Sequence, residues 1–229
     1  MNRESNVYTI VYASVMVILV ALVLAFTSQG LKERQGENES VDKMRQILRS
    51  INIVVSNEEA QEVFAKAIGT SYLVDAAGKK VEGDAFSIVL AKELAKPEAT
   101  RKYPVFEASI DGQTKYIMAL RGAGLWGPIW GYISVNEDKN TIYGADFGHA
   151  SETPGLGAEI ENASFGQEFI GKKFLDPSSQ FVSIAVVKPG KKAVGKDYVD
   201  GISGGTITSQ GVEDMLSSSI GAYANFLKN

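Results

Sequence analysis

Residues 105–120 of the chain read VFEASIDGQTKYIMAL. Two runs with the composition of β-strands, Val105–Ile110 and Lys115–Leu120, flank the pair Asp111-Gly112. An Asp-Gly pair in this setting is the strongest short-range signal of a β-hairpin, because both residue types tolerate the positive φ that the tightest hairpin turns need. The stretch therefore predicts two antiparallel strands joined by a tight turn.

The sequence on both sides of this hairpin predicts further strands. Ile129–Val135 and Thr141–Phe147 flank the five polar residues 136–140, which indicates a second hairpin. Ser71–Asp75 and Phe181–Val187 also have the composition of strands. Because strands joined by short turns pair antiparallel, we expect a mainly antiparallel β-sheet.

Helical patterns precede and follow the strands. Glu58–Ile68 is predicted to be helical, and part of Ala85–Lys96 also fits a helix. Near the C-terminus, seven apolar residues recur at helical spacing, and Thr208 or Ser209 is the predicted N-cap of this last helix. The apolar stripe consists of Val212, Met215, Leu216, Ile220, Tyr223, Phe226 and Leu227.

The N-terminal segment Val7–Phe26 carries no charged residue. At about 1.5 Å per residue, a helix of this length covers the roughly 30 Å hydrocarbon core of a membrane. A cleaved signal peptide is the alternative, but its apolar core is usually only about 7–15 residues long and ends at a small-x-small site. Ala25-Phe26-Thr27 fits such a site poorly, so we expect an uncleaved transmembrane anchor.

The predicted elements divide the chain into four parts. Residues 1–6 form a short tail, residues 7–27 the transmembrane anchor, residues 28–50 a helix that leaves the membrane, and residues 51–229 a domain outside the membrane. The expected fold class is α+β, with an N-terminal transmembrane helix, a mainly antiparallel sheet and a C-terminal helix.

Composition limits the chemistry that the chain can perform. It has no cysteine and a single histidine, His149, which excludes disulfides, thiolate metal sites and multi-histidine metal sites within the chain. The net charge is −4 and the basic residues are scattered, so we expect no nucleic-acid partner. The groups that remain available for chemistry are carboxylates, hydroxyls, lysines, backbone amides or a bound cofactor. We predict neither a catalytic residue nor a metal ligand.

Residues 200–209, DGISGGTITS, lead directly into the C-terminal helix. Glycines allow the backbone to approach a bulky anion, and the start of a helix presents unpaired N–H groups together with the positive end of the helix dipole. Hydroxyls at Ser203, Thr206, Thr208 and Ser209 surround the same point. The segment therefore has the features of a phosphate site, although a simple turn with a cap is the more common meaning of such a loop.

Residues 200–206, DGISGGT, resemble the flavinylation motif of FMN-binding domains, in which a flavin transferase esterifies the last threonine with FMN. The resemblance implies that Thr206 carries a covalent FMN and that residues 51–229 are an FMN-binding domain. Gly205 stands where the family usually has alanine. Three further segments, GLWG at 124–127, ETPGLG at 152–157 and GKK at 171–173, occur in the order found in the C subunit of sodium-translocating NADH:quinone reductases.

By this resemblance, residues 152–157 lie against the flavin ring, Trp126 packs near it, and Lys172 or Lys173 offsets its negative charge. Asp200 is expected to shape the loop or to be recognised by the transferase. The complete set of predicted flavin-site residues is Thr206, Ser203, Gly204, Gly205, Thr208, Glu152, Thr153, Pro154, Gly155, Leu156, Gly157, Leu125, Trp126, Lys172, Lys173 and Asp200.

The resemblance implies an electron-transfer subunit with no independent turnover, since the sequence lacks the Gly-x-Gly-x-x-Gly signature of an NADH site. The implied partners are the other subunits of the complex, the flavin transferase and membrane lipid. The implied location is the bacterial inner membrane, crossed once, with the large domain on the periplasmic side.

Three other functions remain open at this point. The G subunit of an Rnf-type ferredoxin:NAD complex shares the anchor and the Ser-Gly-x-Thr loop. A membrane-tethered binding or assembly module without flavin would use the glycine loop only as a turn. An extracytoplasmic hydrolase would need His149 or a lysine as the base for Ser203 or Thr206.

Overall fold

The computed structural model describes residues 6–228, and the chain divides after Lys43 into two compact units. The helices are α1 (Asn6–Arg49), α2 (Ala60–Ala67), α3 (Leu90–Leu94), α4 (Ala163–Gln167), α5 (Thr206–Ala222) and α6 (Ala224–Leu227), with short 3-10 helices at Glu98–Thr100 and Gly157–Glu161. The strands are β1 (Ile68–Val74), β2 (Lys80–Val81), β3 (Tyr103–Ile110), β4 (Gln113–Ala123), β5 (Pro128–Val135), β6 (Ile142–His149), β7 (Ala185–Val187) and β8 (Tyr198–Asp200).

Helix α1 is continuous over 44 residues and includes both the predicted anchor and the predicted membrane-exit helix. Among the described residues, it is the single helix that is long and apolar enough to cross a membrane. Its apolar side chains from Val7 to Phe26 are exposed to the surroundings, as expected for a helix whose environment is lipid.

The main sheet has the strand order β2-β1-β3-β4-β5-β6, and every neighbouring pair is antiparallel. Both predicted hairpins are present. In the first hairpin, Asp111 and Gly112 have φ values of 51° and 76°, which are typical of the predicted two-residue turn. The predicted α+β class with an antiparallel sheet is therefore confirmed.

Two predicted elements are shorter than expected. The strand predicted over Phe181–Val187 is regular only from Ala185, because Ser183 has a positive φ of 59° and interrupts the extended backbone. The chain at Phe181 forms an isolated bridge with Leu175 instead. In the segment 85–96, only Leu90–Leu94 is helical.

Alternate residues of the sheet face two separate hydrophobic cores. On one face, Val105 and Met118 pack with the C-terminal helices, and all seven residues of the predicted apolar stripe are buried there. On the other face, Phe106 and Ile117 pack with Ile47 and Leu48 at the end of α1 and with α2. The stripe itself is divided between α5 and α6, which meet at Tyr223.

Polar contacts fix the end of α1 to the second face of the sheet. The Arg49 guanidinium forms a two-pronged ion pair with Asp146, with N···O distances of 2.7 and 2.9 Å. The Trp130 indole N–H donates to Gln46 at 3.1 Å. Burial raises the pKa of Asp146 even though Arg49 opposes this shift, so the ionised carboxylate depends on its cation.

Arg49→Met should destabilise the domain more than Asp146→Asn at about pH 7, because only the first change leaves a buried carboxylate without its cation. The expected loss for this partly exposed pair is roughly 1–3 kcal/mol. Since the folded pKa of Asp146 is raised, protonation favours the folded state. The Arg49→Met penalty should therefore shrink as the pH falls to about 4.5. Urea unfolding of both variants at the two pH values measures this, and a penalty independent of pH would contradict it.

Candidate functional site

Helix α5 begins at Thr206, two residues earlier than the first of its predicted caps, so the predicted N-cap is wrong. Gly205 precedes the first turn, and Ser209 N–H donates to the Gly205 carbonyl at 2.9 Å. The Thr208 and Ser209 hydroxyls lie inside the helix and bond elsewhere, Thr208 to Glu152 and Ser209 to the N–H of Ile202. The Thr206 side chain is exposed at the first helical position.

The glycine loop before α5 contacts the loop at residues 152–157 directly. Gly204 has φ +77°, and a Cβ there would lie 2.7 Å from Leu156 Cδ2, so the position requires glycine. A Cβ at Gly205 would lie 3.2 Å from the N of Gly157 and 3.1 Å from Ile202 Cβ. These distances are shorter than ordinary contacts, so an alanine at this position would require its neighbours to shift by a few tenths of an ångström.

Glu152 connects three segments at this point. Its side chain is 4% exposed. Its carboxylate accepts hydrogen bonds from the backbone N–H of Trp126 at 2.8 Å and from the Thr208 hydroxyl at 2.5 Å. Gly124 and Gly157 leave room for it, since a Cβ at either position would lie 2.5 Å from one of its oxygens. The carboxylate also lies at the start of α5, where the helix dipole favours negative charge. Both Glu152 oxygens are thus engaged in joining loops.

The single histidine supports the same loop. His149 Nδ1 accepts the Glu152 N–H at 3.2 Å, and its Nε2 lies 3.4 Å from a Glu161 carboxylate oxygen. These contacts give His149 a structural role and place no base next to Ser203 or Thr206. Among the described residues there is also no cluster of three or more histidine, aspartate or glutamate side chains that could hold a metal ion.

Exposed apolar side chains surround the junction of the loops. Leu125, Trp126 and Leu156 are 48%, 66% and 42% exposed, and all three belong to the set predicted from the sequence. Ile207, which follows Thr206 and is 59% exposed, is not in the predicted set. Its position as the second residue of a helix gives no sequence signal, because apolar residues at helix starts usually pack inward.

A pocket of about 480 Å³ opens beside Thr206, within the size range of small-molecule sites. It brings together Ser203, Gly204 and Thr206 of the predicted site with a second wall that the sequence did not reveal. That wall is the segment after β7, and the pocket is lined by Val186, Val187, Lys188, Pro189, Lys191, Gly201, Ile202, Ser203, Gly204, Thr206, Ser209 and Gln210.

The remaining predicted residues lie around this centre in different ways. Thr153, Pro154 and Gly155 are exposed on the loop that Glu152 begins. Lys172 and Lys173 are not among the lining residues of the pocket; the Lys172 ammonium lies 5.7 Å from the centre of the Tyr198 ring. Asp200 ends β8, and its N–H donates to Glu168 at 2.9 Å. Their roles toward a flavin stay predictions.

Comparison with known proteins shows clear similarity. The sequence model of the FMN-binding domain matches residues 124–221, which include all three loops of the site. The C subunit of the Na(+)-translocating NADH-quinone reductase from Vibrio anguillarum is 32% identical, over 93% of this chain and 89% of the relative. The C subunit from Pseudomonas aeruginosa is 29% identical, over 100% of this chain and 97% of the relative.

Solved structures agree with these relatives. The crystal structure of the C subunit of the same reductase from Parabacteroides distasonis is 57% identical and covers 87% of this chain and 98% of that chain, with a TM-score of 0.83. NqrC from Shewanella oneidensis is 25% identical and covers 83% of this chain and 99% of that chain, with a TM-score of 0.69.

Thr208→Val should destabilise the domain by about 1–2 kcal/mol, because the buried Glu152 carboxylate loses a hydrogen-bond donor. Glu152→Ala should also be costly, and the double variant should cost less than the sum of the two single changes, since each change removes the hydrogen bond between the two side chains. Thermal unfolding of the four proteins measures this coupling. Thr153→Val, on the exposed part of the loop, is the control and should change little. Strict additivity would show that the two side chains do not interact.

Proposed function

The chain belongs to the family of the C subunit of the Na(+)-translocating NADH-quinone reductase, and on this basis we propose that it relays electrons through an FMN esterified to Thr206. The observation that carries the proposal is the exposed Thr206 side chain at the start of α5, beside a pocket of about 480 Å³ and within the FMN-binding domain match. The family membership makes the chain part of an oxidoreductase complex, and it favours this reductase over the Rnf-type complex with its G subunit.

The hydroxyl groups of residues 203–209 differ in their availability. Thr208 and Ser209 are 1% and 5% exposed, and both are hydrogen-bonded. Ser203 and Thr206 are exposed and line the pocket. Of these two, Thr206 occupies the position that the flavinylation motif assigns to the acceptor, and it lies at the helix end that favours a phosphate. Thr206 is therefore the attachment residue in this proposal.

The attachment replaces one bond with another. The Thr206 hydroxyl loses its proton, an Oγ–P bond forms, and the bond between phosphorus and the leaving group of the flavin donor breaks. A flavin transferase supplies the flavin donor and the group that takes the proton in this scheme. The net gain in mass is that of FMN less water, and the diester retains one negative charge at the start of α5.

The surrounding residues fit a bound flavin. When bound, FMN supplies the ability to accept and release electrons singly. We place the ring against residues 152–157, where Leu156 and Trp126 offer exposed apolar surface and Glu152 keeps the loop in position. NADH is oxidised on another subunit in this scheme, and the present chain holds its cofactor close to the neighbouring subunits.

Helix α1 fits a single membrane crossing in the bacterial inner membrane. We further propose that lipid surrounds its apolar part and that the FMN-binding domain lies on the periplasmic side. The absence of cysteine suits that compartment, and a covalent bond prevents loss of a cofactor where free FMN is scarce.

Thr206→Ala should abolish the FMN adduct when the variant is produced together with a flavin transferase, because no acceptor hydroxyl remains at that position. Intact-mass measurement and in-gel flavin fluorescence after denaturation both report the adduct. Ser203→Ala, which removes the other exposed hydroxyl of the pocket, and Gly205→Ala should both keep it. An adduct on the Thr206→Ala protein, or a colourless wild-type chain with an unmodified loop, would refute the proposed linkage.

The periplasmic location predicts a simple protection pattern. In spheroplasts, added protease should degrade the domain, whereas in inside-out vesicles the domain should resist until detergent is added. Immunoblotting of the C-terminal part of the chain provides the measurement, and a cytoplasmic protein serves as the control for intact spheroplasts. The reverse pattern would place the domain in the cytoplasm.

A further inference from the structure

The segment between β7 and β8 contributes to the lining of the pocket beside Thr206. Residues 188–197 read KPGKKAVGKD and connect two parallel strands without a helix. Glycines at 190 and 195, both with φ +79°, shape its turns, and Lys191 N–H donates to the Lys188 carbonyl at 2.9 Å. Lys188 and Lys191 line the same pocket as Ser203, Gly204 and Thr206.

The charge around this pocket is one-sided. Its lining includes two lysines and no aspartate or glutamate. Lys196, on the same segment, is paired with Glu213 at 3.0 Å, and Glu213 also accepts the N–H of Val186. In the described part of the chain, neither Lys188 nor Lys191 forms an ion pair. A pocket with two uncompensated ammonium groups in a chain of net charge −4 is suited to an anion.

We propose that Lys188 and Lys191 are positioning residues for the phosphate of the flavin nucleotide. They hold the flavin-bearing phosphate of the donor next to the Thr206 hydroxyl while the Oγ–P bond forms and the leaving group departs, and they balance the charge of the diester afterwards. The inference rests on the proposed function, because it assigns a role toward the same cofactor. Lys172 and Lys173 do not line this pocket, and their role toward the flavin stays a separate prediction.

Lysine suits this task. Its ammonium group is a flexible point charge with three donors, which can stay in contact with the phosphate of the flavin donor as it becomes the ester. A phosphate monoester carries about −1.5 to −2 charges near neutral pH, so its attraction to two lysines is stronger than that of the diester. Riboflavin has the same ring and ribityl chain without the phosphate. The comparison of FMN with riboflavin therefore isolates the contribution of the phosphate, and the lysine variants show how much of it depends on the lysines.

The test uses the full-length chain in detergent, produced in a host without a flavin transferase so that Thr206 is unmodified. Fluorescence titration with free FMN and with riboflavin gives the two dissociation constants. The wild type should prefer FMN, and Lys188→Gln with Lys191→Gln should weaken FMN binding about tenfold while leaving riboflavin binding unchanged. Raising the salt concentration should weaken FMN binding in the wild type more than in the double variant.

Lys192→Gln is the matched control, because Lys192 is next in sequence but does not line the pocket. It should behave as the wild type. The inference is overturned if the unmodified wild type shows no measurable FMN binding or does not prefer FMN over riboflavin. It is also overturned if the affinity of the double variant falls equally for both flavins or for neither, or if Lys192→Gln weakens FMN binding as much as the double variant does. Circular dichroism confirms that each variant is folded.

The same titration separates this inference from the attachment site. The Thr206→Ala chain should bind free FMN as the wild type does, although it forms no ester. If mass measurement shows that the adduct is on another residue, the proposed linkage fails while the titration still decides the role of the lysines. If Thr206 carries the adduct and the double variant binds FMN normally, only the lysine inference fails.

Discussion

The buried carboxylate of Glu152 is the contact on which the site depends. It joins the Trp126 backbone to the Thr208 hydroxyl, and it does so in a space that only the glycines at 124 and 157 leave open. A carboxylate in such surroundings is stable only while its donors are in place. The three loops of the site therefore hold one another, and none of them keeps its position alone.

The close approach of α5 to the sheet makes this junction possible. A Cβ at Gly211 would lie 2.3 Å from the Ala123 carbonyl, and a Cβ at Gly122 would lie 2.6 Å from Met215 Cβ. The Ser219 hydroxyl bonds to both the N–H and the carbonyl of Arg121 at 3.1 Å. Because the helix packs directly on β4, the position of its first turn relative to the loops is fixed.

Local patterns predicted the hairpins and the apolar stripe, since the turn at Asp111-Gly112 and the helical spacing of the stripe depend on neighbours in sequence. Local patterns did not predict features that depend on contacts between residues distant in sequence. The Thr208 hydroxyl is a plausible cap until Glu152, 56 residues away, accepts its hydrogen bond. Lys191 looks like any solvated lysine until the pairing of β7 with β8 brings it to the Thr206 pocket.

The burial of Thr208 and Ser209 bears on the fidelity of the proposed modification. An enzyme that approaches the segment 203–209 from solvent meets two hydroxyl groups instead of four. The fold thus confers regioselectivity before the enzyme makes any choice of its own. A variant that frees either of the inner hydroxyls would offer a wrong acceptor, and mixed products would be its signature.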